Sequence, residues 1–242
     1  MSKKDTETAK PRRGRPHKTD AAKDAQTSKI LDVAVKLFSK QGYQPTTMSQ
    51  IAQAAGYNQS SLYYWFKCKE DIVAAILKKT DASLKVATEI ATQPDDKIAQ
   101  LYAVLYSDMV MMCSSPFDFY DLEAVAYTSN EPLQSFFITY QQLTEAVEQI
   151  LLEGMKTGEF IQVNAADFVI DALALNEGLQ HRYHMNKRNA LCSTHMIGEK
   201  AQELFCSIEK LAYHSARTSI VLVAPDCVPA DVHQRAKEKG WI

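Results

Sequence analysis

Between Ile30 and Leu77 the chain reads ILDVAVKLFSKQGYQPTTMSQIAQAAGYNQSSLYYWFKCKEDIVAAIL, three short helical patterns in close succession. Ile30, Val33, Ala34, Leu37 and Phe38 recur at i, i+3, i+4, i+7 and i+8, which places them on one face of a helix. Gly42 stands where a helix closes in the C′ position. Thr47 with Gln50 three residues on is a capping-box signature, and it opens a second helix through Ile51 and Ala55. Gly56 makes the turn, and a third helix of two turns runs from about Asn58 to Trp65.

The periodicity downstream is helical throughout. A helix opens near Cys68 and is expected to last until the Gln93-Pro94-Asp95 break. Further helices are expected from Asp96 to Cys113, Phe117 to Thr128, Leu133 to Lys156, and from the cap Asn164 to about Arg188. Ser193 or Thr194 caps another through about Ser215. Ile220-Val221-Leu222-Val223 is too short for more than an isolated strand or a packed extended segment, and a last helix is expected from Asp231 to Lys239. The fold class is all-α: an N-terminal three-helix unit followed by a larger helical domain. The expected divisions are a disordered polar arm over 1–22, a helix-turn-helix unit over 23–70, a helical body over 71–218 and a C-terminal tail over 219–242.

The net charge of −2 hides a polar distribution. Residues 1–70 hold 13 Lys and Arg against 6 Asp and Glu, a balance of +7, whereas the remaining 172 residues hold 14 against 23, a balance of −9. A basic head on an acidic body suits a module that meets phosphate, joined to one that does not. No stretch approaches the roughly 20 apolar residues that cross a membrane, and the N-terminus has no apolar signal region. A cytoplasmic protein is expected. Five scattered cysteines read as reduced thiols, and Cys192, His195, Cys206 and His214 lack the second close pair that a metal site would need. Neither metal nor cofactor is expected.

The third helix is short, polar and aromatic, which suits a major groove better than a core. The hydroxyl of Thr47 and the amides at its helix start are placed to hold a phosphate. Gln59, Ser60 and Ser61 offer short hydrogen-bonding groups, and Gln pairs bidentately with adenine. Tyr63 and Tyr64 are candidates for contacts that fix register without reading sequence, and Lys69 adds a cation. Leu62 and Phe66 read as core; Trp65 suits either role.

These residues resemble the DNA-binding domain of TetR-family transcriptional regulators. The resemblance rests on Gly42, Thr46-Thr47, Ile51-Ala52-Gln53-Ala54-Ala55-Gly56, and Leu62-Tyr63-Tyr64-Trp65-Phe66-Lys67-Cys68-Lys69-Glu70-Asp71-Ile72. It covers roughly residues 27–77. It implies a homodimer on a palindromic double-stranded operator, phosphate contacts at Thr47, Tyr63 and Lys69, and base readers among Gln59, Ser60 and Ser61. Met48 and Trp65 depart from the family pattern, Met48 where some members carry a basic contact and Trp65 where His is usual. The resemblance also implies a repressor released by a small molecule, with Asp167–Arg188 and Thr194–Ser215 pairing with their dimer mates.

Upstream, Arg12-Arg13-Gly14-Arg15-Pro16 resembles an AT-hook, with Arg13 and Arg15 in a narrow minor groove. The alternative is a solvated basic tail of non-specific affinity. The body is rich in Met and aromatics, which suit an adaptable, largely apolar pocket. Candidate lining residues are Tyr106, Met109, Met112, Phe119, Tyr120, Tyr127, Phe137 and Tyr140. Asn176, Glu177, Gln180 and His181 interrupt an apolar run, either as ligand-orienting groups such as Asn176 and Gln180 or as polar residues at a dimer seam.

An enzyme is excluded by the absence of a Gly-x-Ser-x-Gly elbow, a Gly-rich phosphate loop and a His-Glu-x-x-His motif. The remaining alternative to a ligand-responsive regulator is a constitutive or architectural DNA-binding protein with no effector.

Overall fold

The computed structural model describes residues 20–77, 82–128, 134–188 and 202–242. The described residues are α-helical, with one short 3₁₀ turn at Glu203–Cys206. In chain order the helices are α1 Asp20–Gln41, α2 Met48–Ala55, α3 Gln59–Trp65, α4 Lys69–Leu77, α5 Ala82–Ala91 and α6 Lys97–Ser114. They continue with α7 Phe119–Thr128, α8 Gln134–Thr157, α9 Ala165–Arg188, α10 Ile208–Val223 and α11 Pro229–Glu238.

The head packs α1, α2, α3 and α4 around Ile30, Phe38, Ile51, Leu62 and Ile72, each fully buried. Its core also takes in Phe117, Leu122, Val125 and Ala126 from the α6–α7 connection and α7. Phe117 meets Phe38 at 5.1 Å between ring centroids. The head therefore shares its hydrophobic core with part of the body. The body proper is built on α6, whose Leu101, Tyr102, Ala103 and Leu105 are fully buried among α5, α8, α9 and α10. α10 packs along α6, with Ala212, Ser215, Ala216 and Ser219 presenting small buried side chains. A third cluster joins Met109 and Cys113 of α6 to Phe205 and Leu211.

Several expectations are corrected. Residues 20–22, read as part of a polar arm, belong to α1; residues 1–19, with Arg13 and Arg15, lie outside the described residues. Ile220–Val223 is the last turn of α10 rather than a strand, so the division at 218 falls inside a helix. Four aliphatic residues in a row look extended locally, but Ile220 and Val223 are fully buried in the body's core and hold the turn in place. The helix expected to run through Ser215 is interrupted at Ser207, whose hydroxyl accepts from the Lys210 amide and caps a new helix. Cys192, His195 and the proposed cap at Ser193 or Thr194 lie outside the described residues.

The tail closes over α6. His233 of α11 meets the Tyr102 hydroxyl at 2.7 Å, Arg235 grips Asp96 at 2.9 Å, and Lys239 donates to Asp95 at 2.6 Å. Asp96 caps α6 from a left-handed conformation, with φ of 54°.

Candidate nucleic-acid interface and helical body

Two short helices must be held at a fixed angle for one of them to enter a groove, and local hydrogen bonds do this here. Thr47 caps α2: its hydroxyl accepts from the Gln50 amide at 3.2 Å, and Gln50 Oε1 accepts from the Thr47 amide at 2.9 Å. Gly56 ends α2 with φ of 77°, a conformation that a side chain would strain. Asn58 then caps α3, its Oδ1 accepting from the Ser61 amide at 2.7 Å. Leu62 is fully buried and Phe66 nearly so, which pins the inner face of α3.

The outer face is left free. Thr47, Gln59, Ser60, Tyr63 and Tyr64 are exposed, and Ser61 is half-buried at the helix margin. Tyr64 is 77% exposed and Tyr63 45%, large values for aromatic side chains. Gln59 Nε2 donates to the Tyr63 hydroxyl at 3.4 Å, aligning the two on successive turns. Trp65 is half-buried and meets Tyr64 edge-on at 5.2 Å.

Lys69 has a geometry that its sequence position does not reveal. Its ammonium donates to the carbonyls of Thr46 at 2.8 Å, Tyr43 at 2.9 Å and Gln44 at 3.4 Å, and it lies 3.8 Å from the Tyr43 ring centroid. These contacts engage all three of its protons. Partial burial lowers its pKa. The Tyr43 hydroxyl donates to Glu70 at 2.5 Å, and burial followed by that carboxylate pushes Tyr43 up. Lys69 thus clamps the turn that presents Thr47. Sequence reasoning also passed over Lys29, an exposed cation 5.5 Å from the Tyr57 ring and close to the α2–α3 turn at Gly56.

The residues proposed to line the body divide into several environments. Met109 is fully buried, and Tyr106 stacks on Tyr102 at 5.8 Å. Met112 packs against the head's core. Tyr127 is 76% exposed and meets Phe137 at 5.2 Å on the outer side of α7 and α8. Phe119, Tyr120 and Tyr140 come together, with Phe119 centred 5.3 Å from Tyr140 and 6.0 Å from Tyr120. Tyr140 donates to Glu177 at 2.5 Å.

Asn176 and Gln180 are buried clamps. Asn176 Nδ2 donates to the Leu105 carbonyl at 3.2 Å and to Asp108 at 2.7 Å, while its oxygen accepts from Ser215. Gln180 accepts from the Phe119 amide at 3.1 Å and donates to the Phe117 carbonyl at 3.2 Å. His181 pairs with Asp118 at 2.5 Å, and His184 meets the Met112 carbonyl at 3.1 Å. An open groove of about 400 Å³ between α5 and α8 is lined by Thr88, Thr92, Gln142, Glu145 and Gln149, none of them a residue singled out from the sequence. Among the described residues, no helix is long and apolar enough to cross a membrane.

Comparison with known proteins agrees with this geometry. The sequence profile of "Bacterial regulatory proteins, tetR family" matches residues 30–76, which span α2, α3 and nearly all of α4 together with the second half of α1. The transcriptional regulator AcrR of Shigella flexneri is 40% identical over 55 residues, 23% of this chain and 26% of that protein. The transcriptional repressor KstR2 of Rhodococcus jostii is 29% identical over 143 residues, 58% of this chain and 70% of that one. Among solved structures, Mycobacterium smegmatis AmtR superposes with a TM-score of 0.64 at 18% identity, covering 93% of this chain and 96% of that one. SmeT of Stenotrophomonas maltophilia, solved in complex with triclosan, superposes with a TM-score of 0.56 at 18% identity, covering 84% and 93%. With residues 30–76 matched by the family profile and the rest of the chain sharing the fold of these structures, the chain carries the DNA-binding domain of the TetR family of bacterial transcriptional regulators.

Proposed function

We propose that this regulator is a repressor that binds a palindromic double-stranded operator as a homodimer and leaves it when a small molecule enters the helical body. The observation that carries the reading is the outer face of α3, where Gln59, Ser60, Tyr63 and Tyr64 project from a helix whose inner face is fixed by Leu62. Gln59, Ser60 and Ser61 read base edges, and Thr47, Tyr63 and Tyr64 contact phosphates. Lys69 belongs beneath them, holding the turn. KstR2 is named a repressor, and SmeT is described as the repressor of a multidrug efflux pump and was solved with triclosan.

Dimer formation is supported by apolar side chains on the outer faces of α9 and α10, where Ile170 is 66% and Leu222 58% exposed. The working division is a DNA-binding head over 23–70, an effector and dimerisation body from 71 onward, and an N-terminal arm. Arg13 and Arg15 of that arm either enter an A·T-rich minor groove or supply general phosphate affinity. The site of action is the cytoplasm.

The test is selection of an operator from random DNA, followed by anisotropy titrations. Gln59→Ala should relax preference at particular base pairs, and Tyr63→Phe should weaken binding to all sequences. An unchanged ranking of operator variants after Gln59→Ala would remove that residue as a base reader. Sedimentation equilibrium checks the dimer, and a monomer bound to a half-site would overturn it. Loss of residues 1–19 should cost affinity most beside A·T-rich flanks; an equal loss beside G·C-rich flanks leaves the general phosphate role.

A further inference from the structure

The helices that present the reading face bring no charge to it. From Gln41 to Phe66 the chain holds neither an acidic nor a basic side chain, so α2, α3 and the turns around them are neutral. The hydroxyls of Thr47 and Tyr63 hold a phosphate by hydrogen bonds and cancel none of its charge. Lys69 is committed to the carbonyls of Tyr43, Gln44 and Thr46. Attraction to phosphate nonetheless supplies essentially all of a protein's general affinity for a duplex. The counter-charge must therefore come from elements outside the α2–α3 pair.

Packing brings one such charge from α1. The Lys29 ammonium stands 5.5 Å from the centre of the Tyr57 ring and 3.8 Å from the point that a Cβ would occupy at Gly56. Gly56 and Tyr57 form the turn that leads into Asn58, the cap of α3, and the exposed Gln59 and Ser60 follow. Lys29 is itself exposed and, among the described residues, has neither a carboxylate nor a carbonyl partner. A ring face holds an ammonium in place without cancelling its charge. Lys67 stands past the other end of α3, so Lys29 is the cation at its leading end. In a helix-turn-helix the N-terminal residues of the recognition helix meet the base edges in the major groove. The turn before them then lies at the lip of the groove, where the sugar-phosphate backbone runs.

We propose that Lys29 is a phosphate contact, the cation that neutralises the operator backbone beside the leading end of α3. The assignment rests on the DNA-reading role of α3 given above and extends the interface to α1. Because phosphate carries no base identity, Lys29 contributes to all sequences alike.

The test uses the full-length protein, the operator selected from random DNA and a duplex of unrelated sequence. Anisotropy titrations are repeated over a series of potassium chloride concentrations. Lys29→Met should lower affinity for both duplexes about three- to tenfold, and should reduce the slope of log affinity against log salt by about one. Lys29→Arg should keep the wild-type slope. Thermal unfolding of both variants should match wild type, because the side chain is exposed; Lys29→Gln gives the same reading if the Met variant does not fold. A wild-type slope in Lys29→Met overturns the assignment even where affinity falls, since a side chain that only packs on Tyr57 leaves the number of released ions unchanged. A loss confined to the selected operator overturns it as well. Those two outcomes leave the role of α3 standing, whereas a wild-type protein that binds neither duplex overturns both.

Discussion

The side-chain amide of Gln180, in the middle of α9, donates to the backbone carbonyl of Phe117, whose ring is fully buried against Phe38 in the head. The same amide accepts from the Phe119 backbone, so one body side chain fixes both sides of the connection between α6 and α7. Asn176 and Glu177, one turn earlier on α9, bond to Asp108 of α6 and Tyr140 of α8. We expect a shift of α9 to act through Gln180 and Phe117 on the core on which α1 and α3 rest. Gln180→Leu strands two buried backbone groups and should cost about 2–4 kcal/mol. Thermal unfolding measures that cost. Operator binding should also become less responsive to ligand, and an intact response would show that coupling takes another route.

Lys69→Met separates clamp from phosphate contact. Losing three carbonyl partners should lower stability by about 1–3 kcal/mol, since hydrogen bonds to a charged group are the stronger kind. Operator affinity should fall because the turn at Thr47 loosens. The slope of affinity against salt should stay at its wild-type value; a decrease of about one would mean that Lys69 neutralises a phosphate.

Asp108 gives a pH signature. Its pKa rises from 3.8 to about 6 on folding, chiefly through burial, so the folded protein holds this proton more tightly than the unfolded chain. The group's contribution therefore favours folding at low pH and is lost as pH rises from about 4 through 6. At pH 7 the ionised, half-paired carboxylate is a cost, and Asp108→Asn should raise stability by about 1–3 kcal/mol. The gain should vanish below pH 4, where both side chains are neutral. Melting curves at pH 3.5 and 7 decide it, and an equal gain at both would assign the effect to packing.

Gly154 on α8 has no room for a side chain. A Cβ there would stand 2.1 and 2.4 Å from two ring carbons of Phe160 and 3.1 Å from Lys97 Cβ. Phe160 is buried, and Lys97 is fixed by Glu153 at 2.6 Å and by the Gln93 carbonyl at 2.6 Å. Gly154→Ala should destabilise by at least about 1–3 kcal/mol, read as a lower denaturant midpoint. An unchanged midpoint would mean that the Phe160 ring swings aside at no cost.

Much of this protein is written locally. The period of Ile30 to Phe38, the capping box of Thr47 and Gln50, the Gly56 turn and the buried face of Leu62 and Phe66 follow from helix geometry over a few residues, and so does the exposed polar and aromatic face of α3. Tertiary structure decided the rest, because burial and pairing depend on what distant segments bring. Ile220 to Val223 look extended in isolation and are helical because Ile220 and Val223 are buried in the body's core. Lys69 looks like a free cation and is engaged by a turn 23 to 26 residues away. Asn176 and Gln180 resemble pocket groups and prove to be clamps on backbone 61 to 71 residues distant. The raised pKa of Asp108 beside Glu177 arises only once α6 and α9 pack, since sequence spacing says nothing about which charges share a low-dielectric interior.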